Sequence, residues 1–408
     1  MPRLASSWPP AAGVLGCIAF LLIGWSGLLV PSLIRSVKDA FGQSDAGIGI
    51  LYFVFSGAYA AGSLGGGLVI ERLGRRTVLS LAAALHGGGL VAFGIAPSWT
   101  VFVLVAISAG LGAGAIDGGT NGLFLDLFRS GRGRALNLLH VFFSLGALSA
   151  PLAVGRLVES GVAWQAILVG TGVAAISVAV LFVVVAVPDG RHGRLATEPA
   201  TGPATEPATE RPPELGVVQR ARGRLAAPLL LLGFAIACYV ASEVGVSNWL
   251  VRFLEPAPLA VATTGLSLFW AGLAVGRLVS ARLADRFDHV RFATLSTAAM
   301  SVTLIGAILV PSLPLSIALF ALAGFATGPV FPMIVAIGGD LYPDRSAAVG
   351  GFLTSAAVVG SVVYPPIMGL LSVTSGLTVA MLGTVVLGFV CAAALILVGR
   401  MRSTSAHL

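Results

Sequence analysis

The sequence predicts an all-α membrane protein in which twelve transmembrane helices form two pseudo-symmetric halves of six. Composition is the first observation behind this. Hydrophobic residues make up 57% of the chain and charged residues 10%, with a mean hydropathy of +0.97, whereas soluble domains carry about 25% charged residues. No ordinary water-soluble fold of 408 residues hides that much apolar surface. Apolar runs of about 20 residues, the length that crosses a hydrocarbon core of about 30 Å, are the second observation; they recur along nearly the whole chain. The third is a constant shift of 214 residues (285 less 71) that lays one half over the other.

Apolar runs between charged or Pro/Gly-bearing breaks place the first six helices at about 11–34, 47–70, 77–96, 99–126, 135–157 and 164–187. The first run is too long for a signal-peptide core and no A-x-A site follows it, so it is expected to remain as helix one. After a polar interval the pattern resumes at about 226–252, 258–281, 292–311, 314–339, 346–371 and 375–399. Residues 188–225 form the long polar stretch between, where an Ala-Thr-Glu-Pro unit recurs with variants from Ala196 to Arg211. Proline and small polar residues cannot bury a core, so this stretch reads as a disordered linker. The expected domains are an N-terminal bundle (1–187), a cytoplasmic linker (188–225) and a C-terminal bundle (226–408).

The shift of 214 pairs Glu71 with Asp285, Arg72 with Arg286, Gly110 with Gly324 and Asp126 with Asp340. It also pairs Gly146 with Gly360, Pro151 with Pro365 and Gly155 with Gly369. A parallel repeat of this kind places a solute site at mid-depth between halves that rock about it. Of the 24 Lys and Arg residues, nineteen fall on the side of the termini, the linker and the even-numbered connections. The opposite side holds Arg35, Lys38, Arg156 and Arg252, while Arg277 lies near the end of helix eight. The positive-inside rule then puts both termini and the linker in the cytoplasm of a multi-pass cell-membrane protein.

The formal charge of +7 is scattered between apolar stretches, which reads as topology and not as a nucleic-acid-binding face. Cys17, Cys238 and Cys391 lie inside apolar segments without metal or disulfide spacing and read as packing residues. No cofactor or metal is expected, and the chain is expected to act as a monomer.

Between helices two and three stands Gly67-Leu-Val-Ile-Glu71-Arg72-Leu-Gly74-Arg75-Arg76. This resembles the major facilitator superfamily loop motif G-x-L-x-D-R-x-G-R-R, with Val69 and Glu71 replacing the usual Leu and Asp. A reduced copy, Leu283-Ala-Asp285-Arg286, follows helix eight. The resemblance covers the whole chain and implies the major facilitator fold and a transporter. It also implies that Glu71, with Arg72, Arg75 and Arg76, helps to hold the cytoplasmic side closed. Physically, these charges complement the partial charges at helix ends.

At a finer level, Asp117 with Asn121, Asn137 with His140, and Gly146 through Pro151 are similar to the fucose:proton symporter branch. So are Ser242-Glu243-Val-Gly245 with Trp249, Phe269-Trp270-Ala-Gly272 running on to Gly276-Arg277-Leu278, and Gly328-Pro329-Val-Phe331-Pro332. The chain departs from that branch on helix one, where Gly27 stands four residues before Pro31 in place of the proton-carrying Asp.

Of the 17 acidic residues, Asp117 on helix four and Glu243 on helix seven fall deep inside spans. A carboxyl group in hydrocarbon costs several kcal/mol unless paired, hydrated or protonated, so both are candidates for solute or proton binding. Asp117 and Asn121 share a face with Gly114, and counting from the turn near residue 130 puts Asp117 and His140 at similar depth, as a hydrogen-bonded pair. Tyr239, Glu243 and Ser247 line one face of helix seven, joined by Asn248 and Trp249. Such a stripe fits a polyhydroxylated ligand, whose edges need hydrogen bonds and whose faces pack on rings; Trp25 and Trp270 are further platforms. His86 reads as structural.

The expected function is secondary active transport of a small polar solute, a sugar, by alternating access, with protons as the candidate coupling ion. A proton-coupled drug or metabolite exporter is the alternative. It is favoured by Gly146-Ala-Leu-Ser-Ala-Pro151-Leu-Ala-Val-Gly155, a version of the antiporter motif, and disfavoured by the lack of arginine on helix four. No metal cluster, nucleophile elbow or phosphate loop points to an enzyme.

Overall fold

The computed structural model describes residues 11–128, 132–188, 215–283 and 286–406. Among them are twelve helices long and apolar enough to cross a membrane. They are α1 (Ala11–Ser32), α2 (Asp45–Leu73), α3 (Arg75–Gly94), α4 (Trp99–Leu127), α5 (Leu138–Glu159) and α6 (Trp164–Val184) in the first half. The second half holds α7 (Ala227–Phe253), α8 (Leu259–Leu283), α9 (His289–Leu309), α10 (Leu313–Leu341), α11 (Val349–Ser375) and α12 (Leu377–Arg402). A short surface helix, Ile34–Phe41, joins α1 to α2.

The ends follow local chemistry. The Ser44 hydroxyl accepts from Gly47 N at 3.3 Å at the start of α2, and the Asp288 carboxylate accepts from Arg291 N at 3.0 Å at the start of α9. Gly74 turns the chain between α2 and α3 at φ +81°, a conformation that strongly favours glycine and accounts for its place in the loop motif. One boundary differs from the sequence reading: the helix that contains α7 starts at Leu215, not near 226. Charged residues there mark the edge of the hydrocarbon, but nothing between Leu215 and Ala227 stops a helix. The tetrapeptide repeats at 196–211 lie outside the described residues.

Glycines set how the helices cross, and they obey the repeat. An added Cβ on Gly110 would lie 2.5 Å from the Phe55 carbonyl oxygen, and one on Gly324 would overlap that of Phe269; both partners differ by 214 residues (324 less 110, 269 less 55). Gly146 likewise presses α5 on the α1 backbone at Leu21, and Gly360 presses α11 on the α7 backbone at Ala237. Membrane helices gain little from burying apolar side chains against each other, so close backbone approach through small residues is a main source of their association. The contact between halves repeats too: Gly155 of α5 lies on Ala260 and Thr263 of α8, and Gly369 of α11 lies on Asp45 and Gly49 of α2.

Both of those contacts lie at the end of the bundle away from the linker. One buried core runs through both halves there, including Leu29, Ile34 and Phe102 of the first half with Trp249, Leu250 and Phe320 of the second. Toward the linker the first half closes on a separate core containing Phe20, Leu79, Phe124, Leu139 and Phe182. The halves are sealed at the linker-distal end, and toward the linker end the buried core of the first half no longer includes residues of the second. Cys17, Cys238 and Cys391 are free and buried, as packing residues should be.

Candidate functional site: the crevice between the halves

Two groups of polar side chains, one from each half, stand at mid-depth. On α4 the Asn121 amide donates to Asp117 Oδ1 and to the Asp117 carbonyl, both at 3.0 Å. The Tyr59 phenol of α2 stands beside the Asp117 carboxylate. Tyr59 is brought there because Gly114, one turn before Asp117, lies directly on the Tyr59 backbone. Asp117, Asn121 and Tyr59 are all half-buried.

On α7 the Tyr239 hydroxyl donates to Glu243 Oε2. Arg277 of α8 lies on the other side of Tyr239, close enough for its charge to act on the phenol, so the phenol stands between a cation and an anion. The Tyr239 side chain is wholly buried, while Glu243 and Arg277 are half-exposed. Among the described residues neither charge has an opposite charge within salt-bridge distance. The sequence reading assigned Arg277 to the end of the helix and did not connect Tyr59 with Asp117. The signal for Arg277 was its position inside a span that continues to Leu283.

The expected Asp117–His140 pair is not formed. Equal depth is not adjacency: α4 packs on α2 and α3, whereas α5 packs on α1 and α8. His140 is exposed to the crevice, its ring edge-on to Phe20 at 5.4 Å, and the charge it meets is that of Arg277. Trp249 is also corrected as a ligand platform. It is fully buried, donating from Nε1 to the Pro365 carbonyl at 3.3 Å and packing against Tyr52 at 5.8 Å. Asn248 is half-buried beside it, and its carbonyl accepts from the Tyr52 hydroxyl at 3.0 Å. Trp270 faces the other half, its ring 6.0 Å from Phe143, and its buried Nε1 has no partner. Trp25 Nε1 donates to Thr171 at 3.1 Å within the first half. The side chain of Asn137 lies outside the described residues. His86 is structural as expected, held between Ser26 at 2.9 Å and the Ala109 carbonyl at 2.8 Å.

At the linker end the loop motif is arranged differently from its expected pairing. Arg75 is buried and pairs with Asp126 at 2.7 Å, at the end of α4. Gly67, Glu71, Arg72 and Arg76 are exposed. Arg286 is exposed, and Asp285 lies outside the described residues.

The opposite end is locked. Asp45, at the start of α2, is 6% exposed and pairs with Lys38 of its own half and with Arg252 of the other at 3.1 Å. Its second oxygen accepts from Ser372 of α11 at 2.6 Å. Arg35 reaches across to α7, donating to the Val251 carbonyl at 2.8 Å and to the Ala257 carbonyl at 2.7 Å. Burial, then the neighbouring charge of Arg252, lowers Arg35 from the usual guanidinium value. Glu159 closes the other seam by accepting from Ala260 N at 2.7 Å.

A helical bundle sealed at one end, with a polar cluster inside each half, fits a membrane carrier. Comparison with known proteins agrees. The family model described as Major Facilitator Superfamily matches residues 14–265 and 231–407. The uncharacterized MFS-type transporter YfkL of Bacillus subtilis (strain 168) is 23% identical over 388 residues, covering 91% of this chain and 93% of that protein. The glucose/mannose transporter GlcP of the same organism is 22% identical over 361 residues, covering 85% of each. Among solved structures, a bacterial homolog of the human lysosomal transporter Spinster, in an inward-facing and occupied conformation, aligns with a TM-score of 0.76 at 17% identity. It covers 97% of this chain and 98% of that one. The chain is a membrane transporter of twelve spans, not an enzyme, and belongs to the Major Facilitator Superfamily.

Proposed function

We propose that this transporter moves a sugar by alternating access, with the linker end in the cytoplasm and with Asp117 as the proton-carrying group. What supports the reading is a polar cluster at a comparable depth in each half, and we place the solute between them. Asp117–Asn121–Tyr59 and Glu243–Tyr239–Arg277 offer donors and acceptors to hydroxyl groups from both halves. A solute bonded to both halves favours their closing around it, which is the coupling that alternating access requires. The relative GlcP is named as a glucose/mannose transporter, which supports the solute class. The segments 1–187 and 226–408 act as the two moving bodies, residues 188–225 tether them, and one chain suffices for a working unit. Exposed arginines at the linker end, among them Arg72, Arg76, Arg282 and Arg286, support a cytoplasmic location and a cell-membrane site.

In this reading the present state is open to the cytoplasm, and Glu71, with its arginines, engages when that side closes. Asp117 is the better proton carrier of the two acids. Its partners are neutral, so a proton there changes the local charge outright, whereas Glu243 shares its phenol partner with Arg277. The glycines that make α5 look like an exporter's helix are accounted for by packing on α1 and α8, and so do not favour export. Counterflow in proteoliposomes is the test: labelled glucose should exchange unchanged into vesicles preloaded with unlabelled glucose. If no neutral sugar exchanges while cationic or lipophilic compounds do, the exporter reading replaces this one.

A further inference from the structure

The seam between α5 and α8 has a fixed antiparallel register. Gly155 lies on Ala260 and Thr263, and further toward the linker end Phe143 lies on Trp270. Continuing the register past Phe143 brings His140 of one half opposite Arg277 of the other. Trp270 and Arg277 are seven residues apart, two helical turns or about 10.5 Å, on one face of α8. Helical side chains lean toward the helix N-terminus, so Arg277 leans back toward Trp270 and His140 leans toward the linker end to meet it. The positive charge of Arg277 does act on the His140 ring.

Three donors therefore lie along one stretch of the seam. Arg277 has no carboxylate within salt-bridge distance among the described residues, and its charge falls on the phenol of Tyr239. The His140 ring is exposed. The Trp270 indole is 6% exposed, yet its Nε1 has no acceptor. A buried donor without an acceptor bears the desolvation cost of that group unrelieved, and an acceptor brought to it as the halves close on a solute would relieve that cost. Neither carboxylate in the crevice supplies it: Asp117 is turned to Tyr59 and Asn121, and Glu243 to Tyr239.

We infer that the transported solute is an anionic sugar, a sugar acid whose carboxylate sits between Arg277 and His140 with an oxygen toward Trp270. The inference rests on the sugar reading above and narrows it. One guanidinium supplies a single permanent positive charge and a planar pair of donors, which match one carboxylate. A phosphate dianion would ask for more charge than the seam holds. Because Arg277 and His140 come from different halves, the carboxylate also ties the halves together at the level where closure must begin.

Calorimetric titration of the purified full chain at fixed pH and ionic strength tests this with D-glucuronate against D-glucose, which differ at carbon six. D-glucose 6-phosphate and lactate serve as further probes. Glucuronate should bind at least about tenfold more tightly than glucose, the size of one charge-assisted hydrogen bond. Arg277→Gln should erase that preference and Arg277→Lys should keep part of it. Equal or tighter glucose binding, a preference that survives Arg277→Gln, or a phosphate ester that outcompetes glucuronate would overturn the proposal. The comparison on the unmodified chain stands even if a variant fails to insert. Glucose counterflow without a preference for the acid sinks this inference and leaves the sugar reading intact. Lactate bound as tightly as glucuronate, with no sugar exchange, sinks the sugar reading and leaves the carboxylate seat. Absence of binding by every probe counts against both.

Discussion

Replacing Asp45 with asparagine should release the sealed end. The Asp45 side chain is 6% exposed and holds Lys38 and Arg252, which are 15% and 24% exposed, together with Ser372. Breaking a buried ion pair from one side costs about 3–5 kcal/mol. Asparagine keeps an oxygen for Ser372, and the two cations retain some water, so about 2–3 kcal/mol is the expected loss here. That loss falls on the state in which the two halves touch at this end, because Arg252 and Ser372 belong to the other half. It shifts the balance between the two states by roughly 30- to 150-fold toward opening at the linker-distal end. Spin labels at the exposed positions 39 and 375, read by pulsed electron double resonance, report the distance across the seal. The short-distance population should dominate in the unmodified chain and give way to a longer one in Asp45→Asn. An unchanged distribution, in a variant with normal thermal stability, would show that the ion pairs do not hold the seal.

Asp117→Asn should abolish uptake driven by a pH gradient while preserving solute counterflow, because the amide keeps the bond to Asn121 but cannot load a proton; undiminished pH-driven uptake removes Asp117 from the mechanism. Tyr239→Phe deletes the hydroxyl that stands between Glu243 and Arg277 and should reduce counterflow by about tenfold or more, with the helical circular dichroism unchanged. Gly360→Leu forces a side chain into the Ala237 carbonyl and should lower stability by about 3 kcal/mol or more, whereas Gly57→Ala meets nothing within 4 Å and should be near neutral; thermal unfolding in detergent distinguishes them. Glu71→Gln should change the ratio of the two states at the linker end, measured by label pairs across that mouth, and an identical ratio would confine the motif to topology.

The helices were legible because a hydrocarbon-length apolar run has few other uses, and the halves because glycines at backbone crossings tolerate no substitute. Gly110 and Gly324 illustrate this: the shift of 214 read from sequence reappears as the same contact with Phe55 and with Phe269. What sequence order cannot supply is the angle at which a side chain leaves its helix relative to non-neighbours. Asp117 and His140 matched in depth but face different partners, since α4 and α5 are adjacent in sequence and hardly touch in space. Trp249 follows two polar residues and so looked ligand-facing, yet it points into the α2–α7–α11 contact. Asp45 passed unremarked because an acid in a first turn has an ordinary explanation in the helix dipole. The two acids inside the spans break the repeat that the glycines and the loop charges keep: the shift of 214 carries Asp117 onto Phe331 and takes Glu243 back to Leu29. Framework and chemistry thus obey different rules in one chain.

The reach of Arg35 to the carbonyls of Val251 and Ala257 has a kinetic meaning. Those oxygens belong to the last turn of α7 and the segment just after it, where the helix ladder leaves acceptors spare. In the alternating cycle proposed above, water arriving as the halves part can take the place of the guanidinium on each oxygen, and the guanidinium is itself hydrated in exchange. Separation at this rim is a swap of partners, with no group left bare, so the transition can be frequent even though the closed form is well ordered.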